Sequence, residues 1–554
     1  MRGGLMVCGT ASDVGKSHLV AGLCRMLARN GVSVAPFKAQ NMALNSFVTA
    51  SGHEIGRAQG AQAMAARTTA EVVMNPILLK PTSDTGSQVV LMGRPIGHMS
   101  AVAYHAAKPE LLAVVLDALA DLRSRFDVVI CEGAGSPAEI NLLDNDIVNL
   151  RIAYESSLCA VVVADIDRGG ALAALHGTVS LLPEKYRSLV RGFIVNKFRG
   201  DPALLSTGLD DLERRCGVAT IGVLPYVDRI SIDAEDSLEI ASSRTASSRT
   251  ARTGTLAGDA STSGILEHAA RAGCDGAGPA AGDAGRLHVA VVRFPRISNF
   301  TDLDPLLLEP SVDLRYVERP SDLAGADLII LPGSKATIAD LAWMRLRGID
   351  RAIADATRPG TSRPAVVLGI CGGYQMLGHR IVDTVESGAG AVEALGHLDI
   401  ETTFAPGKVT RQRSGSALGQ ALSGYEIHHG RVRPGPRARP WIHLDDRYGN
   451  EPEGAAGTGP HAGQHPLENG LNGIVTGNGL NGVVLGTSLH GIFEPDGFRQ
   501  AFLETVALVR GKQAARAAIS FERARQSQFD LWADLIEEHV DTAALAKLIE
   551  EPAR

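Results

Sequence analysis

The chain has 554 residues, 45% of them hydrophobic and 21% charged, which excludes an intrinsically disordered protein. Its formal net charge is −7 and only 4% of its residues are aromatic, so it lacks the basic and stacking side chains expected of a protein that binds nucleic acid or an anionic membrane. The seven cysteines are widely spaced, and no apolar run has the length of a signal peptide or a membrane span, so we expect a soluble protein of the cytoplasm.

Residues 1–240 alternate short apolar runs with helical stretches such as Ser17–Arg29 and Glu110–Arg125. The runs are rich in β-branched residues, which is typical of strands buried on both faces. The predicted strands are Leu5–Gly9, Val32–Phe37, Val128–Cys131, Cys159–Ala164 and Gly192–Val195. This alternation predicts an α/β domain in which helices cover a parallel sheet.

The rest of the chain divides by composition. Residues 241–286 are rich in Ala, Gly, Ser, Thr and Arg and contain a direct five-residue repeat, which predicts a flexible linker. A second α/β domain is predicted over 287–510, interrupted by a low-complexity stretch at about 434–481. We interpret that stretch as a surface insertion, with a small folded subdomain as the alternative. Residues 511–554 are predicted to form a helical C-terminal tail.

A glycine-rich loop follows the first predicted strand and leads into the first predicted helix. This placement is the one a phosphate-binding loop requires, although five residues separate its glycines where the usual pattern has four. Backbone N–H groups and the helix N-terminus would cradle phosphates, Lys16 would reach the β- and γ-phosphates, and the Ser17 hydroxyl would face Mg²⁺. The nucleotide-binding residues predicted here are Gly9, Thr10, Asp13, Gly15, Lys16 and Ser17.

Further polar side chains lie at the ends of predicted strands in the first domain. Glu132 and Asp165 are candidate metal ligands because carboxylates at this edge of a sheet can hold Mg²⁺. Lys38 could neutralise charge on a transferred phosphate, and the pair Asn196 and Lys197 could border the nucleotide base. The alternative for each is an ordinary strand-end residue or a surface ion-pair partner.

A strand, a sharp turn and a helix are predicted around Cys371. A thiol at a helix N-terminus has a lowered pKa, which makes Cys371 a candidate nucleophile. His490 follows a later strand and is the candidate base that takes the thiol proton. Backbone N–H groups near Gly333 and Gly372 could form an oxyanion hole.

The two halves resemble known families. The second half is similar to class I glutamine amidotransferase domains, and the first half resembles the dethiobiotin synthetase-like P-loop family. Four phrases are more specific: Phe37-Lys-Ala-Gln-Asn-Met-Ala-Leu-Asn-Ser46, Ala164-Asp-Ile-Asp-Arg-Gly-Gly170, Phe294-Pro-Arg-Ile-Ser-Asn-Phe-Thr-Asp-Leu-Asp304 and Gly424-Tyr-Glu-Ile-His-His-Gly430. With these phrases, the fusion of the two halves in this order resembles the cobyric acid synthase family of cobalamin biosynthesis.

The resemblance implies a ligase that uses ATP, Mg²⁺ and glutamine. Its substrate would be a corrinoid, adenosylcobyrinic a,c-diamide, amidated at the b, d, e and g carboxylates. The P-loop half would phosphorylate a carboxylate, and the thiol half would release ammonia from glutamine. The resemblance also supports Cys371 as nucleophile and His490 as its partner.

The chain departs from the family patterns at two places. Many class I amidotransferases have a glutamate two residues after the histidine, but this chain has Ile492, so the third triad role is open between Glu494 and Glu426. The P-loop family also has an acidic metal ligand shortly after the lysine of the second strand. In this chain that region holds amides, which are instead candidates for binding the amide-rich rim of the substrate: Gln40, Asn41 and Asn45.

Two other functions remain as alternatives. A cobyrinic acid a,c-diamide synthase would share both chemistries, but its second-strand phrase usually carries an acidic residue where this chain reads Lys38-Ala-Gln-Asn41. A ParA/MinD-like ATPase switch would not need a cysteine turn paired with a histidine.

Overall fold

The computed structural model describes residues 1–82, 86–227, 285–358, 364–446, 449–453, 455–458 and 483–553. The chain forms two compact units: unit 1 comprises Met1–Glu235 and Arg525–Arg554, and unit 2 comprises Asp236–Ala524. Each unit contains a parallel sheet with helices, so the predicted α/β fold class is confirmed. The predicted linker at 241–286 lies almost entirely outside the described residues.

The main sheet of unit 1 has six parallel strands. In order across the sheet they are Thr220–Pro225, Val190–Phe198, Cys159–Asp165, Gly3–Gly9, Val128–Glu132 and Val34–Phe37. Both faces are buried. Leu5 and Val7 belong to one apolar core, whereas Met6 and Cys8 belong to the other. This alternation explains why the strand-forming runs are apolar throughout.

Helices surround this sheet. They are Lys16–Arg29, Arg57–Ala65, Ala101–Arg125, Leu150–Glu155, Ala171–Leu181, Glu184–Arg187 and Ser206–Cys216. Unit 1 also contains a four-stranded sheet that the sequence analysis did not predict, with strands Gln40–Met42, Ile77–Pro81, Gly86–Leu91 and Arg94–Ser100. A short hairpin, Ser46–Val48 and Glu54–Gly56, lies between the first two of these strands in sequence.

The predicted helical tail is present as helices Phe521–His539 and Thr542–Glu550. From Arg525 onward it belongs to unit 1, not to the second domain that it follows in sequence. Ile536 and Ile549 share an apolar cluster with Leu5 of the central strand. The tail therefore completes one face of the first sheet.

The main sheet of unit 2 has five parallel strands and one antiparallel edge strand. In order across the sheet they are Val312–Val317, Leu287–Val292, Leu328–Leu331, Val366–Ile370, Val483–Thr487 and Ala455–Thr458. The helices that begin within unit 2 are Asp304–Leu307, Thr337–Arg347, Ile349–Ala356, Gly372–Leu377, Asp496–Arg510 and Phe521–His539, the last continuing into unit 1. No helix in the described part of the chain is long and apolar enough to cross a membrane.

A second, seven-stranded sheet in unit 2 is built on a long hairpin, Ile400–Ala417 and Gln420–Pro434. Its other strands are Arg380–Asp383, Gly390–Glu393, Ile442–Asp446, Gly449–Glu453 and Leu489–His490. A two-stranded ladder pairs Ile297–Ser298 with Gly333–Ser334.

The stretch expected to be a surface insertion, 434–481, begins with ordered strands. Ile442–Asp446 pairs with the long hairpin, and Ala455–Thr458 pairs with the main sheet. Trp441, Ile442 and Leu444 are buried in the apolar core of the unit. The strands 442–446 and 455–458 are therefore part of the fold where the sequence predicted a surface insertion, and 459–481 lies outside the described residues.

Candidate active sites

The phosphate loop joins strand Gly3–Gly9 to helix Lys16–Arg29. Gly15 has φ of 95°, and a Cβ at this position would lie 2.3 Å from Nδ2 of Asn196, so only glycine fits. Asn196 donates from Nδ2 to the Val14 carbonyl over 2.9 Å, and the Lys197 ammonium donates to the Asp13 carbonyl over 2.8 Å. Asn196 and Lys197 thus hold the loop in shape, a role different from the base contact that the sequence suggested.

The ammonium group of Lys16 is held by backbone carbonyl groups of two loops. Its ammonium donates to the Ala11 carbonyl over 2.9 Å and lies 3.5 Å from the carbonyl of Gly135, in the loop that follows Glu132. Lys16 is buried, with 7% of its surface exposed. The two loops therefore fix the charged end of Lys16 at the carboxyl edge of the sheet, where open α/β sheets bind their ligands.

The carboxylate of Glu132 is the centre of a buried cluster. Its Oε1 accepts hydrogen bonds from the Ser17 hydroxyl over 2.7 Å and from the Lys38 ammonium over 2.9 Å. Its Oε2 accepts from Nε2 of Gln62 over 2.6 Å. A buried carboxylate needs such donors to offset its desolvation. The structure thus brings together the predicted residues Ser17, Lys38 and Glu132, and it adds Gln62, which the sequence analysis missed.

The amide group of Gln62 that donates to Glu132 also carries an oxygen atom, Oε1. Its Oε1 is buried and has no hydrogen-bond partner among the described residues. A hydroxyl, a carboxylate and an amide oxygen are the hard ligands that Mg²⁺ prefers, usually together with water and phosphate oxygens. No group of three or more His, Cys, Asp or Glu side chains suited to a metal occurs in the described ranges. The donor set fits a magnesium ion that is shared with a nucleotide.

Asp165 belongs to a different group of charges. Its Oδ2 accepts from the Lys197 ammonium over 2.9 Å and lies 3.6 Å from Nε of Arg168. Its Oδ1 accepts from the backbone N–H of Asp167 over 2.9 Å. Asp165 thus has partners other than those of Ser17 and Glu132, and its metal role stays a prediction.

The three candidate substrate amides differ in exposure. Asn41 and Asn45 have only 2% and 1% of their surfaces exposed, and Asn41 donates from Nδ2 to Oε1 of Gln59 over 2.9 Å. Both are buried in this structure, and their contact with a substrate stays a prediction. Gln40 is partly exposed, and its Oε1 accepts from the Tyr104 hydroxyl over 2.5 Å. Of the three amides, Gln40 is therefore the most accessible candidate for substrate binding.

In unit 2, Cys371 lies at a sharp turn between strand Val366–Ile370 and helix Gly372–Leu377. Its φ of 51° is uncommon for a residue with a side chain, and such strained positions concentrate at functional sites. A Cβ on Gly372 would lie 2.8 Å from the Ser334 nitrogen, and one on Gly373 would lie 1.9 Å from the Leu331 carbonyl oxygen. The glycines are thus required for the helix to begin this close to the neighbouring strand.

His490 is positioned by a carboxylate distant in sequence. Its Nδ1–H donates to Oδ2 of Asp302 over 2.6 Å, and Oδ1 of Asp302 accepts from the N–H of Gly491 over 2.9 Å. The side chains of His490 and Asp302 are 1% and 4% exposed. Asp302, which lies in a short 3₁₀ helix, occupies the third triad position that the sequence analysis left open.

The earlier candidate Glu426 has other partners. Its Oε2 accepts from Nε of Arg411 over 2.5 Å, and its Oε1 lies 3.4 Å from Nε2 of His428. Glu426 is buried, which would raise its pKa, but these cationic partners lower the pKa to about 2. The other candidate for the third triad residue was Glu494, but the hydrogen bond from Nδ1 of His490 goes to Asp302.

The thiol and the imidazole shift each other's pKa. Burial would raise the pKa of Cys371, but the charge of His490 and a hydrogen bond from it lower the pKa below 9.0 overall. Burial would lower the pKa of His490, but the charges of Asp302 and Cys371 raise it to about 10. In contrast, burial raises the pKa of Cys8, Cys131 and other cysteines. Each group therefore favours the charged form of the other, which lowers the pKa of the Cys371 thiol and raises that of the His490 imidazole.

The turn at Gly333 lies against His490 and against Gly372, the residue that follows Cys371. A Cβ on Gly333 would lie 3.1 Å from Cε1 of His490, and Ser334 abuts Gly372. The Ser334 hydroxyl donates to Oδ2 of Asp340 over 2.6 Å, which fixes the turn. Gly333 thus lies against the ring of His490 and Gly372 directly follows Cys371, and their oxyanion-hole role stays a prediction.

Comparisons with known proteins agree with this division into two chemistries. Residues 5–240 match the CobQ/CobB/MinD/ParA nucleotide binding domain, and residues 288–498 match the CobB/CobQ-like glutamine amidotransferase domain. A cobyric acid synthase of Streptomyces avermitilis is 47% identical over 555 residues, which cover 100% of this chain and 97% of that protein. A cobyric acid synthase of Nocardia farcinica is 48% identical over 555 residues, which cover 100% of this chain and 98% of that protein.

Proposed function

The chain belongs to the cobyric acid synthase family, and from this we propose that it amidates the b, d, e and g carboxylates of adenosylcobyrinic a,c-diamide. It is a glutamine-hydrolysing, ATP-dependent amide ligase. One observation carries the proposal: a single chain holds both a phosphate loop with a buried Ser17–Glu132–Lys38 cluster and a cysteine turn with a His490–Asp302 pair. We propose that it acts in the cytoplasm, where ATP and glutamine are available.

The first half-reaction activates a carboxylate. A carboxylate is a poor electrophile, so its oxygen attacks the γ-phosphate of ATP, the bond to the β-phosphate oxygen breaks, and an acyl phosphate and ADP result. Lys16 and the loop N–H groups orient the phosphates, and Lys38 lies where it can stabilise charge on the transferred group. Mg²⁺, held by Ser17, Glu132 and the amide oxygen of Gln62, would neutralise phosphate charge when bound.

The second half-reaction supplies nitrogen. The thiolate of Cys371 attacks the side-chain amide carbon of glutamine, and the imidazolium of His490 gives its proton to the departing nitrogen, so that ammonia leaves and a glutamyl thioester remains. Water, deprotonated by the now neutral imidazole, then hydrolyses the thioester to glutamate and regenerates the thiol. Asp302 keeps the imidazole in the orientation and tautomer that both steps require. Ammonia displaces phosphate from the acyl phosphate to form the amide.

The test is incubation of the protein with adenosylcobyrinic a,c-diamide, ATP-Mg²⁺ and glutamine, followed by mass spectrometry. We expect a stepwise mass change, one step for each of the carboxylates converted. Cys371→Ala should lose product formation with glutamine but keep it with ammonium salt, increasingly so at higher pH, because free NH₃ is the nucleophile. Lys16→Ala should lose product with either nitrogen source.

Three outcomes would contradict the proposal. Amidation of cobyrinic acid at two positions, with no reaction of the diamide, would identify the alternative synthase. Failure of folded Cys371→Ala with ammonium would place the thiol in the ligase chemistry. Near wild-type amidation by Lys16→Ala would remove the phosphate-loop assignment.

A further inference from the structure

An ion pair lies next to the oxyanion turn of unit 2. Lys335 directly follows strand Gly333–Ser334, and its ammonium contacts a carboxylate oxygen of Glu386. The two side chains are only 8% and 18% exposed. Neither residue takes part in the glutaminase steps above. Removing two charges from water costs free energy, which raises the question of what this pair does in the fold or in binding.

The backbone on both sides of the pair is held in place. The N–H of Lys335 donates to the Arg296 carbonyl over 2.9 Å. The carboxylate of Asp383 accepts from the N–H groups of Val385 and Glu386 over 2.9 and 2.8 Å. Both charged residues therefore start from rigid positions, as a binding site requires.

Glu386 remains ionised in this setting. Burial would raise its pKa, but Lys335, His429 and Lys408 lower it overall. The local charge is thus a carboxylate surrounded by cationic or ionisable groups. The ammonium of Lys335 has three donors, and its contact with Glu386 is the one it makes within the described ranges, so it can accept a further anionic partner.

The pair adjoins the turn that lies next to the catalytic groups. Ser334 abuts Gly372, next to Cys371, and Gly333 abuts the ring of His490, so Lys335 begins one residue beyond the turn that would receive the amide oxygen. In glutamine, two methylene groups separate the amide carbon from the α carbon, which carries one ammonium and one carboxylate group. One ammonium and one carboxylate next to this turn are complementary in charge to the carboxylate and ammonium groups of an amino acid.

We propose that Lys335 binds the α-carboxylate of glutamine and Glu386 binds its α-ammonium group. This inference rests on the proposed glutaminase function and deepens it, because it assigns the residues that distinguish free glutamine from other amides. The zwitterion adds opposite charges to both members of the pair, so the site gains attraction without a net buried charge. A singly charged amide would make only one of these two added ion pairs, and a neutral amide would make neither.

The experiment compares three amides as substrates for ammonia release. Glutamine carries both charges, glutaramate lacks the α-ammonium group, and 4-aminobutanamide lacks the α-carboxylate. Loss of one charge-assisted hydrogen bond should reduce kcat/KM for glutamine about 10- to 100-fold. Glu386→Gln should show this loss for glutamine and 4-aminobutanamide but not for glutaramate. Lys335→Met should show it for glutamine and glutaramate but not for 4-aminobutanamide.

Controls separate this inference from the proposed function and from misfolding. The half-exposed Glu401→Gln is a matched surface change in the same unit and should leave all three rates as in the wild type. Wild-type amidation of the corrinoid with ammonium tests the proposed function without glutamine. Alkylation of Cys371 at the wild-type rate shows that the thiol site of a variant is folded.

The pattern of selectivity decides the inference. An equal loss on all three amides in a variant whose Cys371 is alkylated normally would overturn it, and so would unchanged rates. If Glu386→Gln does not fold, Lys335→Met with the same three amides gives the decision.

Discussion

Replacing Asp302 by asparagine tests the carboxylate that holds His490. Asparagine keeps the shape of the side chain and an oxygen that can accept from the N–H of Gly491, as Asp302 does over 2.9 Å. It removes the negative charge that lies 2.6 Å from Nδ1 of His490. The change therefore isolates the electrostatic and tautomeric effect of Asp302 on the imidazole.

The expected loss follows from the coupled pKa values. The pKa of His490 is about 10 because Asp302 and Cys371 oppose the effect of burial. A carboxylate at this distance typically contributes about 1 to 3 pKa units, and each unit corresponds to about 1.4 kcal/mol. Losing it should lower kcat/KM for glutamine hydrolysis by about 10- to 1000-fold. The pKa of His490 should fall and that of Cys371 should rise, since the imidazolium that stabilises the thiolate loses its proton at lower pH.

The assay measures glutamate release and iodoacetamide alkylation of Cys371 as functions of pH. In the variant, the alkylation profile should move to higher pH, while amidation with ammonium stays at the wild-type level. Glu494→Gln is the matched control, because Glu494 is the acidic residue closest in sequence to His490, and we expect its profile to be unchanged. The reasoning is refuted if Asp302→Asn hydrolyses glutamine at the wild-type rate with an unshifted alkylation profile, or if Glu494→Gln produces the shift instead.

Two further predictions concern unit 1. Gln62→Ala removes the amide oxygen beside Glu132 and should weaken Mg²⁺-dependent ATP binding about 10-fold, as measured by calorimetry. ATP binding in EDTA should be unchanged. If the variant and the wild type bind ATP equally well at every Mg²⁺ concentration, Gln62 has no metal-related role. Ile536→Ala opens a cavity in the core that the tail completes and should lower the free energy of unfolding by about 2–5 kcal/mol in urea, whereas the exposed Lys547→Ala should change it by less than about 0.5 kcal/mol. Equal effects of Ile536→Ala and Lys547→Ala would show that the tail does not stabilise the sheet.

The site residues that could be predicted from the sequence lie in short, continuous motifs. The phosphate loop and the cysteine turn each need a strand, glycines and a helix in consecutive order, so a single stretch of chain specifies the geometry. The α/β fold class follows from the same local alternation of apolar runs and helices. Each of these features depends on contacts within about a dozen residues.

The residues that could not be predicted in this way depend on contacts between distant segments. Asp302 and His490 are 188 positions apart, and Gln62 lies 70 positions from Glu132 in a helix with no recognisable motif. An apolar stripe on the tail helices predicts that they pack but does not specify against which sheet. For the same reason, the polar-looking residues 442–458 were interpreted as an insertion, although their strands pair with segments far along the chain.

The return of the tail to unit 1 has a consequence for synthesis of the protein on the ribosome. Residues 1–235 emerge first, but one face of their sheet lacks Ile536, Leu545 and Ile549 until the last codons have been translated. The nascent first domain must therefore wait, with an apolar face uncovered, while the whole second domain is made. A gene cut between the two domains would yield a first half that lacks part of its own core, and moving the tail with the first half would restore that core.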